Sequence, residues 1–212
     1  MNVLSVNVGL PRGIESQGAI VRTAIFKTPV TGPVQVRRLN LDGDRQSDLR
    51  VHGGVHKAVY VYPSEHYAFW RAEIPATDLA WGAFGENLTT EGLGEDTTRV
   101  GDRFRIGSAE FVVTQPRMPC FKLGIRFGRP DMVKRFLESG RSGFYLSVAQ
   151  EGVVAAGDPV TRVGSDDSTL TVAELVRLYT AKDPEQDLLR RASELPALPE
   201  SWRSHFRQRL DA

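Results

Sequence analysis

The chain predicts a mainly β domain followed by a small helical appendage, and three observations carry that prediction. No helical period holds across residues 1–39, where apolar residues alternate and break at glycine and proline as short strands do. The same pattern returns over 100–114 and again over 144–163. From about Ser165 the character changes: Asp166-Asp167-Ser168 makes a polar linker, after which apolar residues recur at helical spacing to the end. The chain therefore divides into residues 1–164, a β domain with a few peripheral helices, and 165–212, a three-helix domain.

Val3, Leu4, Val6 and Val8 predict the first strand, and Gly9-Leu10-Pro11-Arg12-Gly13 a turn. Ile20 to Phe26 and Val34 to Leu39 predict two more strands. An acidic, polar stretch from Leu41 to Asp48 then leads into Val51-His52-Gly53-Gly54-Val55-His56-Lys57, where the glycine pair permits positive φ and close backbone approach. Ala58 to Tyr62 leaves this loop as a strand, so the loop presents polar groups at a strand end. Ser64 is placed to cap a helix whose apolar face is Tyr67, Trp70 and Ile74 and which Pro75 ends. Trp81 to Leu93, centred on Gly85-Glu86-Asn87-Leu88, reads as a compact turn with little room for side chains beside the backbone.

Val100 to Ile106 and Ala109 to Thr114 predict a hairpin across Gly107-Ser108. Pro130 starts a helix over 130–139 that Gly140 stops, and Arg141-Ser142-Gly143 is a short basic loop before the strand Phe144 to Val148. Val153 to Val163 predicts a last pair of strands, and its Gly157-Asp158 echoes Gly101-Asp102. In the tail, Val172, Leu175, Val176 and Tyr179 mark one helix, Leu188, Leu189 and Ala192 a second, and Trp202, Phe206 and Leu210 a third. Helices this short do not fold alone, so the tail is expected to dock on the β domain or on a second copy of the chain, as in a homodimer.

Composition excludes several classes. A net charge of +1 argues against stable nucleic-acid binding. One cysteine in 212 residues rules out an intrachain disulfide and argues against structural zinc or a protein-ligated iron–sulfur cluster. No apolar run approaches a membrane span and the N-terminus lacks a signal-type segment, so the expectation is no membrane association and a reducing, cytoplasmic location. Of the 27 cationic residues 22 are arginine, which suits bidentate contact with phosphate or carboxylate.

That cysteine lies in Gln115-Pro116-Arg117-Met118-Pro119-Cys120-Phe121-Lys122. Two prolines prevent the preceding strand from continuing, so the segment is expected to leave it as a stiff loop that holds the thiol in place. Arg117 and Lys122 favour the thiolate form that a soft metal ligand or nucleophile requires. An unpaired cysteine is more commonly a small buried hydrophobe, and the Pro-Arg-x-Pro-Cys setting weighs against that reading. His52-x-x-x-His56 has zinc-like spacing, but Gly53-Gly54 disfavours the helix that would align the imidazoles. His52, His56 and Lys57 are either donors to an anionic ligand or solvated loop residues, and Arg141-Ser142-Gly143 poses the same choice for a phosphate. A Cys120/His52 dyad stays open, since such partners meet in space.

His52-Gly53-Gly54 with Lys57-Ala58-Val59 and Tyr62, Gly85-Glu86-Asn87-Leu88, Gly101-Asp102, the Pro116-Arg117-x-Pro119-Cys120-x-Lys122 loop, and Gly143 with Gly157-Asp158 together resemble the MOSC domain, in the YiiM-type branch that ends in three helices. The resemblance implies a MOSC-type β-barrel that holds the molybdenum cofactor (Mo-molybdopterin), with Cys120 as catalytic residue and metal ligand. It implies a reductase of N-hydroxylated compounds, including N-hydroxylated purine bases, supplied with electrons by a separate redox protein. Lys57, Arg117, Arg141 and Ser142 would hold the pterin phosphate and metal-oxo charge, with His52, His56, Lys122 and Gly143 also expected at the cofactor. The alternatives are a cysteine-persulfide sulfur carrier or transferase, and a non-catalytic module that stores or delivers the cofactor.

Overall fold

The computed structural model describes residues 1–47, 53–165 and 169–211. Twelve strands and six α-helices occur among them. Eight strands form one mixed sheet, in the order β12 (Val160–Gly164), β8 (Arg103–Ile106), β9 (Ala109–Pro116), β10 (Phe144–Gln150), β6 (Val59–Pro63), β7 (Leu88–Glu91), β1 (Asn2–Val8) and β4 (Thr28–Pro29). Its one parallel pair is β6 with β7. β2 (Arg12–Ser16) and β3 (Ala19–Thr23) make a separate hairpin, and β5 (Val34–Val36) pairs with β11 (Gly152–Val154). The expected last pair, β11 and β12, therefore separates to different partners.

The expected closed barrel needs correction, because the sheet is not closed by a ladder. Its β12 end returns to the start of β1, where one isolated bridge joins Asn2 to Pro159 and backbone bonds run from Val3 N to Asp158 O (2.9 Å) and from Val160 N to Met1 O (2.9 Å). Pro159 has no N–H to extend a ladder, and the chain has just turned at Gly157, φ 94°. The glycine–aspartate echo is a repeated corner. Asp102 accepts from Arg99 N at 2.9 Å and Asp158 from Ala155 N at 2.8 Å, each three residues back and each after a glycine of positive φ.

β6 is buried on both faces and divides two cores, as the period of 2 along a strand requires. Val59 and Val61 face an aliphatic core with Phe104, Phe111, Val113 and Leu146. Tyr60 and Tyr62 face an aromatic core with Trp70, Phe84 and Phe136. Tyr67 and Trp70 enter this second core from α1 (Glu65–Glu73), Leu123 from α2 (Phe121–Phe127), and Met132 and Phe136 from α3 (Met132–Glu138). Ser64 is the N-cap residue of α1 but makes no side-chain cap bond.

The tail docks on the same chain. Val172, Leu175 and Leu178 of α4 (Val172–Thr180), Leu189 and Ala192 of α5 (Gln186–Glu194), and Trp202 and Phe206 of α6 (Glu200–Leu210) all join the aliphatic core. Thr171 and Glu174 form a capping box at the start of α4. Backbone bonds from Val172 N to Thr98 O and from Ala173 N to Glu95 O, both 2.9 Å, fix that start against the β domain. Among the described residues no helix is long and apolar enough to cross a membrane.

Candidate active site

β9 ends at Pro116, where the chain leaves the sheet, and the Arg117 N–H reaches the Gly143 carbonyl at 3.2 Å. Gly143 sits so close to β6 that a Cβ would meet the Val61 oxygen at 2.4 Å, in a backbone with φ 61°. After Pro119 the chain turns directly into α2, with Cys120 as its N-cap residue. The stiff loop is thus only three residues long, and the helix behind it was not legible because the Phe-Lys-Leu-Gly-Ile-Arg-Phe run is too short to show a period.

Cys120 is partly exposed and lines a cleft of about 680 Å³ of empty space, counted with its open mouth. Five cations share that cleft, Lys27, Arg45, Lys57, Arg117 and Lys122, against one carboxylate, Asp44. Apolar and aromatic walls come from Ile25, Tyr60, Phe84, Met118 and Tyr145. Cations gathered beside a thiol and against aromatic walls suit an anionic small molecule or cofactor.

Arg117 is the most constrained of the cations. It is 5% exposed, its guanidinium carbon lies 4.8 Å from the Phe136 ring centroid and 5.4 Å from that of Tyr60, and its Nη1 is buried with no hydrogen-bond partner among the described residues. Burial works against its charge, but Tyr60, Tyr145 and Cys120 outweigh that effect and its pKa is raised. Lys57 has its pKa lowered by burial, partly opposed by Cys120. Lys122 donates to Ser47 Oγ at 3.3 Å.

Of the residues singled out in the sequence, the structure brings Cys120, Lys57, Arg117 and Lys122 to the cleft. His52 lies outside the described residues. His56 is exposed and does not line the cleft; burial of its ring and the nearby Arg203 of α6 lower its pKa. Arg141, Ser142 and Gly143 do not line it either. The Arg141 guanidinium stacks on Phe69 at 3.9 Å and donates to Ser139 O, the Ser142 carbonyl accepts from the Tyr60 hydroxyl at 2.8 Å, and Gly143 N donates to Glu95 at 2.7 Å. These internal partners hold the loop in place, and it supports the cleft through its bonds to Arg117 and Tyr60.

The chain matches the MOSC domain over residues 48–161 and the YiiM-like, 3-alpha helix domain over 170–212. It belongs to the MOSC family, in its YiiM-like branch. The uncharacterized protein YflK of Bacillus subtilis is 40% identical over 99% of this chain and 95% of its own length, and protein YiiM of Escherichia coli 37% identical over 88% and 84%. A protein named Reductase from Gibberella moniliformis is 32% identical over 84% of this chain but only 32% of its own length. The crystal structure of YiiM from Geobacillus stearothermophilus superposes with a TM-score of 0.82 at 35% identity, over 99% of this chain and 98% of that one.

This MOSC cleft also contains residues that sequence reasoning passed over, chiefly Lys27 and Asp44, which form a buried ion pair, and Asn87, which donates to Asp44 at 2.8 Å. Lys27 stands in a stretch that alternates like any short strand, so no local signal separates it from a solvated lysine. The available signal for Asn87 was its tight glycine turn, and Gly85 is indeed closed on, with a Cβ placed 2.8 Å from Ile25 Cγ1.

Proposed function

We propose that this chain binds the molybdenum cofactor through Cys120 and reduces N-hydroxylated compounds, such as N-hydroxylated purine bases, to amines with electrons from a separate redox protein. The observation that carries the proposal is that the chain's sole cysteine shares one cleft with a buried guanidinium whose Nη1 has no partner among the described residues. Membership of the MOSC family and the name of the fungal relative support the reductase class. Among the described residues no group of three His, Cys, Asp or Glu could hold a metal ion. A metal here would need ligands that a cofactor brings, and one soft protein thiolate fits that division.

The residues present fit such a group. Cys120 would supply the soft ligand, and Arg117, Lys57, Lys122 and Arg45 would meet the anionic charge of the group. When bound, the cofactor would supply two-electron redox chemistry at a metal held by sulfur. The chain's own part is to orient substrate between Tyr60, Phe84 and Tyr145 and to keep the N–O group away from bulk water. We take residues 1–164 as the unit that carries the site and 165–212 as its helical support.

The test is to purify the protein from a cofactor-competent host, measure molybdenum by mass spectrometry, and follow reduction of N-hydroxylated adenine with an artificial electron donor. Molybdenum equimolar with the chain and stoichiometric amine are expected. A persulfide on Cys120 without molybdenum would mark a sulfur carrier, and bound molybdenum without turnover a delivery module.

A further inference from the structure

Lys27 is a cation of the cleft that the cofactor reading does not use. Its ammonium pairs with Asp44, and the two side chains are only 8% and 4% exposed. Asp44 is itself held, accepting from Gly9 N at 3.0 Å and Asn87 Nδ2 at 2.8 Å. The backbone that carries Lys27 is clamped by three glycines, Gly9 from one loop and Gly82 and Gly85 from a single turn. A Cβ would lie 2.6 Å from the Phe26 oxygen at Gly9, 2.9 Å from the Lys27 oxygen at Gly82, and 2.8 Å from Ile25 Cγ1 at Gly85. Side chains there would push the segment away, so the packing fixes where this ammonium stands in the cleft.

An ammonium already matched by a carboxylate adds no net positive charge, which makes Lys27 a poorer phosphate anchor than Arg117. It keeps N–H donors that Asp44 does not use, and unlike a guanidinium it can give up a proton. Burial lowers its pKa, while Asp44 and then Glu86 act in the opposite direction. The other charged groups on the cleft are Arg45, Lys57, Arg117 and Lys122, and Cys120, Tyr60 and Tyr145 also line it.

We propose that Lys27 is the proton donor to the oxygen that leaves the N-hydroxylated substrate, and that Asp44 is the residue that positions it. The inference rests on the reductase reading above. In the balanced reaction RNHOH + 2e⁻ + 2H⁺ → RNH₂ + H₂O, the N–O bond breaks with two electrons from the separate redox protein. The departing oxygen keeps its own hydrogen and takes one proton from Lys27 Nζ, leaving as water. The nitrogen takes the second proton from solvent, and the neutral Lys27 amine is reprotonated from the open mouth.

The test compares wild type, Lys27→Arg and Lys27→Met for molybdenum content, for kcat and KM with N-hydroxylated adenine, and for the pH profile of kcat. Loss of a general acid lowers kcat by about 10²–10⁴-fold. That loss is expected in both variants with molybdenum content and KM near wild type, because arginine preserves the pair with Asp44 but donates no proton. Wild-type kcat should fall at high pH as Lys27 deprotonates, and that limb should vanish in Lys27→Met. In cofactor-free protein labelled at lysine ¹³Cε, the resonance missing from Lys27→Met should titrate below the ordinary lysine range. Wild-type kcat in Lys27→Arg, or molybdenum loss in Lys27→Met, overturns the proton-donor role while leaving the reductase reading intact. Absence of turnover in wild type overturns both.

Discussion

Two buried charges a short distance apart in the fold are treated in opposite ways. The Glu86 carboxylate is fully buried and accepts from the Tyr67 hydroxyl, Gly82 N at 2.8 Å, Thr89 Oγ1 at 2.9 Å and Phe84 N at 3.1 Å. The Arg117 guanidinium, equally deep, keeps an Nη1 without a partner among the described residues. A buried polar group left unsatisfied costs about 1–3 kcal/mol, and more when it is charged. A fold that satisfies one charge four times over and leaves another short has built a scaffold at the first and kept a ligand position at the second. Both groups lie beside the aromatic core, so burial alone does not distinguish them. The accounting of donors and acceptors does.

The comparison can be broken most severely at Glu86. Glu86→Ala strands two backbone N–H groups and two hydroxyls, and should cost about 3–5 kcal/mol in chemical denaturation. Glu86→Gln should cost less. Burial raises the Glu86 pKa despite the donation from Tyr67, so the folded state favours the protonated form. Stability contributed by this group is therefore complete below the ordinary carboxylate pKa and declines as pH rises through the raised folded value. Glu86→Gln should abolish that decline, and denaturation of both proteins across the pH range reads it.

Arg117→Met should behave in the reverse sense. Replacing a poorly satisfied buried charge with a methionine of similar length should leave the cofactor-free protein as stable as wild type or more so. A lost charge-assisted contact of roughly 1.5–3 kcal/mol corresponds to about tenfold to a hundredfold weaker cofactor retention. A stable Arg117→Met protein that keeps its full molybdenum content would show that the open Nη1 serves no ligand. Cys120→Ser should keep the fold, since the side chain is only partly buried, while reductase activity and bound molybdenum are lost.

Arg141→Ala sharpens the contrast with a smaller effect. Its guanidinium stacks on Phe69 and faces no cleft, so molybdenum content and KM should match wild type, with stability lower by about 0.5–1 kcal/mol. At the tail, Thr171→Ala removes the capping box for about 1 kcal/mol and should speed hydrogen exchange in α4 before the sheet. The Glu174 pKa is lowered, burial being outweighed by the Thr171 bonds and Arg99. That contribution is present above the ordinary carboxylate pKa and fades as pH falls through the lower folded value, so wild type and Thr171→Ala should converge in acid.

The sequence by itself determined the parts whose physics is local. The strand at Ala58 to Tyr62, the Gly107-Ser108 turn, the Pro-Cys break after β9 and the three amphipathic tail helices each depend on a few neighbouring residues, and each stands close to where the pattern put it. Its motifs likewise marked Cys120, Lys57, Arg117 and Lys122, because proline stiffness and charge beside a lone thiol are visible in one stretch. Which loops share the cleft was a different matter. Arg141-Ser142-Gly143 looks as suitable for an anion as Arg117 does, until the fold places it off the cleft with Arg141 Nη1 donating to Ser139 and Gly143 N to Glu95. Lys27 looks like a surface residue until Asp44 and glycines from two distant segments, Gly9 and the Gly82–Gly85 turn, enclose it. Closure failed at Pro159 for a local reason that only matters because β12 returns to Asn2. Hydrogen-bond satisfaction and enclosure depend on residues far apart in the chain, and the tertiary structure decided them because only there are all the partners of one group in reach at once.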